Sequence, residues 1–206
     1  MTAASNEAAL AWLARAQDWP DHRLLLWGEA GCGKTHLLHV WAARVGARLL
    51  PGPSLAGMTF PPPGALAIDD ADLAEETALF HLLNAAREQR CSVLLTARLP
   101  PSRWRILLPD LRSRMRSLTV VEIGRAEDSL LRALLARLLA DRQLAVPAPL
   151  QERLLLRLPR TPAALREAVT RIDTDGRVIG QKLADDILRE MASPECDLSE
   201  SAPRLM

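Results

Sequence analysis

The sequence predicts an α/β fold, a parallel β-sheet flanked by helices, followed by a small all-α domain. Three observations carry the prediction. Between residues 23 and 123, short apolar runs alternate with longer stretches of helical periodicity, as a parallel sheet covered on both faces requires. The first apolar run, Arg23-Leu24-Leu25-Leu26-Trp27, leads into Gly28-Glu29-Ala30-Gly31-Cys32-Gly33-Lys34-Thr35, and that segment leads into a helical stretch. From Arg125 onward strand-like runs stop and only helical spacing remains. The expected organisation is an α/β domain at 1–124, a helical domain at 125–192 and a disordered tail at 193–206, rich in Ser, Glu and Pro.

The elements follow in order. Residues 5–17 read as an amphipathic helix, capped by Ser5 or Asn6, with Ala8, Leu10, Trp12 and Leu13 as apolar contacts. Trp19-Pro20-Asp21 is a turn before the strand at 23–27. His36 to Ala47 carries helical spacing, and Arg48-Leu49-Leu50 is a short second strand. Residues 51–64 hold five prolines and three glycines and read as a loop. Ala65-Leu66-Ala67-Ile68-Asp69-Asp70 is an apolar strand ending in two acids. A helix at 73–89 separates it from the strand Cys91-Ser92-Val93-Leu94-Leu95-Thr96. Pro100-Pro101 breaks the chain, a short helix covers 110–115, and residues 117–123 form the last strand. Helices at 126–142, 148–158, 161–173 and 180–191 make up the remainder, separated by Val146-Pro147 and by Pro159-Arg160-Thr161-Pro162.

The segment 28–35 is a complete G-x-x-x-x-G-K-[ST] motif in its required context of strand, glycine loop and helix. Gly28, Gly31 and Gly33 let backbone amides approach a polyphosphate where a Cβ would block them. Those amides and the helix N-terminus face negative charge. Gly28, Ala30, Gly31, Cys32, Gly33, Lys34, Thr35 and His36 are therefore the expected nucleotide cradle, for ATP or ADP. Lys34 reaches the β- and γ-phosphates and Thr35 ligates Mg²⁺. Asp69, at the carboxyl end of a buried strand, lies where ligands bind in open parallel sheets. It is expected to hold the same Mg²⁺, directly or through water, and Asp70 to orient or polarise the attacking water. Asp70-Ala71-Asp72 also reads as a plain turn or helix cap. Cys32 sits at the helix N-terminus among phosphate-binding amides, although the position also simply accepts a small residue.

Composition narrows the class. At 206 residues, 49% hydrophobic and 25% charged, the chain is globular, with no apolar run long enough to span a membrane and no signal peptide. The cytoplasm is the expected location. Cys32, Cys91 and Cys196 are odd in number and lack metal-type spacing, so reduced thiols are expected. The net charge of +1 argues against broad phosphate-backbone contact, so little direct DNA binding is expected. Arginine is nevertheless concentrated locally, with Arg98, Arg103, Arg105, Arg112, Arg114 and Arg116 opposed only by Asp110.

Four stretches resemble one family. Gly28–His36 with its Gly-Lys-Thr-His ending, Leu66-Ala67-Ile68-Asp69-Asp70, Leu111-Arg112-Ser113-Arg114-Met115 and Pro159-Arg160-Thr161 are similar, in that order, to the phosphate loop, Walker B strand, Leu-x-Ser-Arg-Phe segment and sensor 2 segment of the DnaA/Hda family of AAA+ ATPases. The resemblance covers nearly the whole chain. It implies an AAA+ sheet followed by a helical lid, with Arg114 as an arginine finger acting on a neighbouring subunit's nucleotide and Arg160 contacting nucleotide from the lid. Asp70, Arg114 and Arg160 are thus the implied catalytic residues. Thr96-Ala97-Arg98 falls where the family has a Thr-Ser-Asp segment. Either Thr96 or Arg98 substitutes for the missing sensor 1 acid, or hydrolysis is weakened.

Within that resemblance the chain is nearer to Hda-like regulators than to full initiators. It leaves no room for a DNA-binding helix-turn-helix domain after the lid, and only the proline-rich stretch 51–64 occupies the interval where initiators insert a helical segment. The implied function is to promote hydrolysis of DnaA-bound ATP through the arginine finger, in association with the DNA polymerase sliding clamp, with weak intrinsic ATP hydrolysis. The implied partners are DnaA and the clamp, with homo-oligomer formation open. Residues 1–22 contain no Gln-Leu-x-Leu-Pro-like clamp peptide. Gln143-Leu144-Ala145-Val146-Pro147 looks similar but lies between lid helices, where Leu144 and Val146 read as core contacts. The alternative function is an active AAA+ motor, such as a helicase loader or a clamp-loader-like subunit.

Overall fold

The computed structural model describes residues 2–58 and 64–175. The expected helix at 180–191 and tail at 193–206 lie outside the described residues. The chain divides into two compact units, Met1–Leu130 with Thr161–Ala163, and Leu131–Arg160 with the residues from Ala164 onward.

In the first unit, α1 (Glu7–Ala14), β1 (Arg23–Trp27), α2 (Lys34–Val45), β2 (Arg48–Pro51), β3 (Leu66–Asp69), α3 (Glu76–Glu88), β4 (Val93–Ala97), α4 (Pro109–Arg116) and β5 (Thr119–Glu122) follow one another. The five strands form one sheet in the order β2-β3-β4-β1-β5, and every neighbouring pair is parallel. The expected α/β architecture and all five strands are present.

The apolar runs work because alternate side chains serve opposite faces. Leu25, Ile68, Val93 and Leu95 join Leu79, Leu82 and Leu83 of α3 and Leu111 and Met115 of α4 in one core. Leu24, Leu26, Ala67 and Leu94 join Ala9 and Leu13 of α1 and Leu38, Trp41 and Ala42 of α2 in the other. Of the central strands, β4 is buried throughout and β1 and β3 are buried except at their last residues, Trp27 and Asp69, whereas the edge strands β2 and β5 each bury one residue. Replacing Leu83, which is 0% exposed, with alanine is expected to cost about 2–5 kcal/mol in denaturant unfolding, as cavity creation does.

Several boundaries differ from the sequence reading for local reasons. Helix α1 is shorter than 5–17, and Asn6 Oδ1 accepts from the Ala3 amide at 2.9 Å instead of capping the helix. Its buried contacts are Ala9 and Leu13, whereas Ala8 is exposed. Trp19 belongs to the core, stacked on Trp41 with ring centroids 5.2 Å apart. Helix α3 starts at Glu76 rather than 73, because Ala71–Leu73 forms a 3-10 turn and Ala74 is extended. Glu75 caps α3 by accepting from the Thr77 and Ala78 amides at 2.9 and 2.8 Å. Those bonds hold its carboxyl below the ordinary glutamate range. Within the interval 51–64, Gly52–Leu55 forms a 3-10 turn.

The second unit is built on α5 (Asp128–Asp141), α6 (Ala148–Arg157) and α7 (Pro162–Asp175). Leu131, Leu135 and Leu139 of α5 recur at one-turn spacing and are buried, as are Leu150 and Leu154 of α6 and Leu165, Val169 and Ile172 of α7. Val146 is buried between α5 and α6, in keeping with a packing role for the Gln143–Pro147 stretch.

Candidate functional site

Because the strands are parallel, β1, β3 and β4 deliver their carboxyl ends to one edge of the sheet. The glycine loop leaves that edge after Trp27 and enters α2 at Lys34. Gly28 and Gly33 are structurally required there. A Cβ on Gly28 would fall 2.3 Å from the Ile123 carbonyl oxygen, and Gly33 takes φ +107 to start the helix.

Lys34 is 7% exposed. Its ammonium donates to the carbonyls of Gly28 and Glu29, both at 2.8 Å, and lies 3.8 Å from Cys32 Sγ. The loop thus folds around its own lysine. Thr35 Oγ1 donates to Asp69 Oδ1 at 3.2 Å. This places a hydroxyl and a carboxylate from different elements side by side. The donors are hard oxygens, and one carboxylate with one hydroxyl fits Mg²⁺, which keeps several waters and completes its shell with phosphate oxygens. Among the described residues no cluster of His, Cys, Asp and Glu is dense enough to hold a metal by itself.

Asp70 follows with φ 50 and ψ 51, the left-handed region, so the chain turns sharply after β3. Asp72 accepts the Arg98 amide at 2.9 Å. A carboxylate therefore stands at the segment where position 98 itself carries no acid. Glu29 pairs with Arg125 through two hydrogen bonds, of 2.7 and 2.9 Å. The guanidinium holds the Glu29 carboxyl below its usual range, but both side chains are exposed and the pair is readily screened by salt. Ala30 of the loop and Thr35 and His36 of α2 are exposed, and Gly31 and Cys32 are half-buried. Cys32 and Cys91 are both unpaired thiols.

Arg114 lies elsewhere. It is half-buried in α4, and its Nε donates to Asn84 Oδ1 of α3 at 3.1 Å. It lines a recess of about 500 Å³ with Asp21, Asp110, Ser113 and Ser117. Asp21 precedes β1 and Ser117 precedes β5, so this recess is at the amino edge of the strands. Strands of four or five residues separate it from the phosphate loop by about 15 Å. Arg160 belongs to the second unit, exposed at the turn between α6 and α7. The structure thus gathers Lys34, Thr35, Asp69 and Asp70 within the first unit and sets Arg114 apart from them. The ties of Asn84 to Arg114, Asp72 to Arg98 and Arg125 to Glu29 carry no signal at the level of motifs.

Comparison with solved structures gives the architecture a name. Domain III of the Thermotoga maritima replication initiation protein DnaA superposes with a TM-score of 0.72 at 17% identity, over 94% of this chain and 95% of that one. The chain has the fold of the AAA+ ATPase domain. Aquifex aeolicus DnaA bound to AMPPCP matches with a TM-score of 0.68 at 16% identity, over 86% of this chain and 64% of the longer one. A Thermotoga maritima RuvB variant matches at 0.66 and 19% identity, over 90% of this chain and 68% of that one. No protein-family model matches the sequence. Among the described residues no helix is long and apolar enough to cross a membrane.

Proposed function

We propose that the chain is an Hda-like, nucleotide-binding regulator of replication initiation. In this reading it binds ATP or ADP with Mg²⁺ through residues 28–36, with Thr35 and Asp69 as the metal side, and Arg160 contacts the nucleotide from a helical lid at 125–192. Bound Mg²⁺ supplies charge neutralisation of the phosphates. Lys34 supplies a further positive charge, and Asp70 orients water. The partner is ATP-bound DnaA, engaged with the sliding clamp, and Arg114 stabilises charge on the partner's transferring phosphoryl group.

The observation that carries this reading is the place of Arg114. It stands at the opposite strand edge from the chain's own phosphate loop and is anchored by Asn84. An arginine so placed is out of reach of its own molecule's phosphate loop, which supports a role on another molecule's nucleotide. The AMPPCP-bound DnaA structure with the same fold supports nucleotide as the ligand class.

The test is turnover of DnaA-bound ATP with the ADP-loaded chain added, with and without clamp on DNA. A rise that disappears in Arg114→Ala supports the regulator. A chain that leaves DnaA unaffected but hydrolyses ATP briskly by itself is a motor or loader instead, a reading favoured by the presence of Asp70 beside Asp69.

A further inference from the structure

Thr96 lies in β4 with its side chain fully enclosed, at 0% exposure. Its Oγ1 donates to Asp69 Oδ1 and accepts the Asp70 amide at 3.1 Å. A hydroxyl has one proton to give, and here that proton goes to Asp69. Thr35 donates to the same carboxylate oxygen at 3.2 Å. Asp69 Oδ1 is therefore gripped between two threonine hydroxyls, one from α2 and one from β4, and Oδ2 accepts no hydrogen bond among the described residues. The Asp70 amide is tied to the same Thr96 oxygen, at the residue where the chain enters the left-handed region.

We infer that Thr96 is a positioning residue for both acids and not a phosphate sensor. It fixes the rotation of the Asp69 carboxylate so that Oδ2 remains for a divalent cation, and it pins the backbone that carries Asp70. The inference rests on the nucleotide-binding reading above for its ligand, but the bridge itself stands on geometry alone. It also resolves the alternatives at the end of β4. A hydroxyl committed to Asp69 reaches a phosphate only by letting that carboxylate turn.

The experiment compares Thr96→Val, which keeps the shape and removes the hydroxyl, with Thr96→Ser, which keeps the hydroxyl. ADP and ATP affinities are measured in EDTA and in Mg²⁺, and amide hydrogen exchange is read at Asp70. In Thr96→Val the Mg²⁺-dependent gain in ADP affinity is expected to fall about tenfold, the scale of one lost hydrogen bond to a charged group. Affinity in EDTA stays unchanged, and the Asp70 amide exchanges faster. Thr96→Ser retains both properties. An unchanged Mg²⁺-dependent gain in Thr96→Val overturns the inference. So does a loss of affinity for ATP but not ADP in EDTA, which is what a phosphate-sensing hydroxyl would give. Wild-type protein that binds neither nucleotide with or without Mg²⁺ overturns the nucleotide reading instead, and the Asp70 exchange then decides the bridge. Thr96→Ala takes the place of Thr96→Val if the valine variant does not fold.

Discussion

Replacing Arg114 with alanine is expected to reduce the stimulated hydrolysis of DnaA-bound ATP by about 10³-fold or more, the range over which arginine fingers act in trans. The guanidinium is held at Nε by Asn84, so its terminal nitrogens are carried on an anchored plane instead of a freely rotating chain. Such an arm loses little entropy when it meets a phosphoryl group, and its charge counts most where water is excluded. The same substitution breaks one half-buried hydrogen bond and is expected to change folding stability by only about 1 kcal/mol. ADP affinity of the variant should match wild type, because Arg114 is at the other edge of the sheet from the phosphate loop. Single-turnover hydrolysis, melting and ADP titration on one preparation check all three. Equal stimulation by wild type and Arg114→Ala would remove the finger from the mechanism.

Lys34→Ala is expected to weaken ADP and ATP binding by about 100–1,000-fold. The ammonium is the one cation enclosed within the loop, bonded to the Gly28 and Glu29 carbonyls at 2.8 Å. Losing its charge-assisted hydrogen bonds to phosphate removes about 3–4 kcal/mol, which converts to that factor. The lysine also bridges the loop's own carbonyls, so the loop of the variant should be less ordered before ligand arrives. Isothermal titration with the two nucleotides measures the loss, and a Kd within a few-fold of wild type would contradict the phosphate-loop assignment.

The parts of this molecule that were readable in advance share one physical origin. Runs such as Leu24-Leu25-Leu26 and Leu94-Leu95 must be buried on both faces, and only a central parallel strand provides that. The glycine loop was equally plain, because Gly28 and Gly33 are places where a Cβ is excluded or the backbone is left-handed. What escaped depends on contacts between residues far apart in the chain. Nothing near Asn84 marks it as the anchor of Arg114, and nothing near Thr96 announces that it faces Asp69. Arg23 opens the first strand as its one charged residue, and nothing beside it announces that it is 1% exposed with its charge met by Asp21 at 2.6 Å. The buried alanine of α1 was read as Ala8 instead of Ala9, because the two are interchangeable in composition and only the core shared with Val121 and Ile123 chooses between them.

On the proposed reading, in which Arg114 acts on a partner's nucleotide, its separation from the phosphate loop fixes a kinetic order. A residue about 15 Å from its own molecule's loop contributes to phosphate chemistry only through an encounter, so every such event is bimolecular. Nucleotide occupancy, by contrast, is a property of each molecule by itself. Dilution at constant nucleotide therefore leaves the fraction of loaded protein unchanged while the Arg114-dependent rate falls with the concentration of the second molecule. On that reading the response follows partner concentration because the β-strands hold Arg114 away from the chain's own phosphate loop.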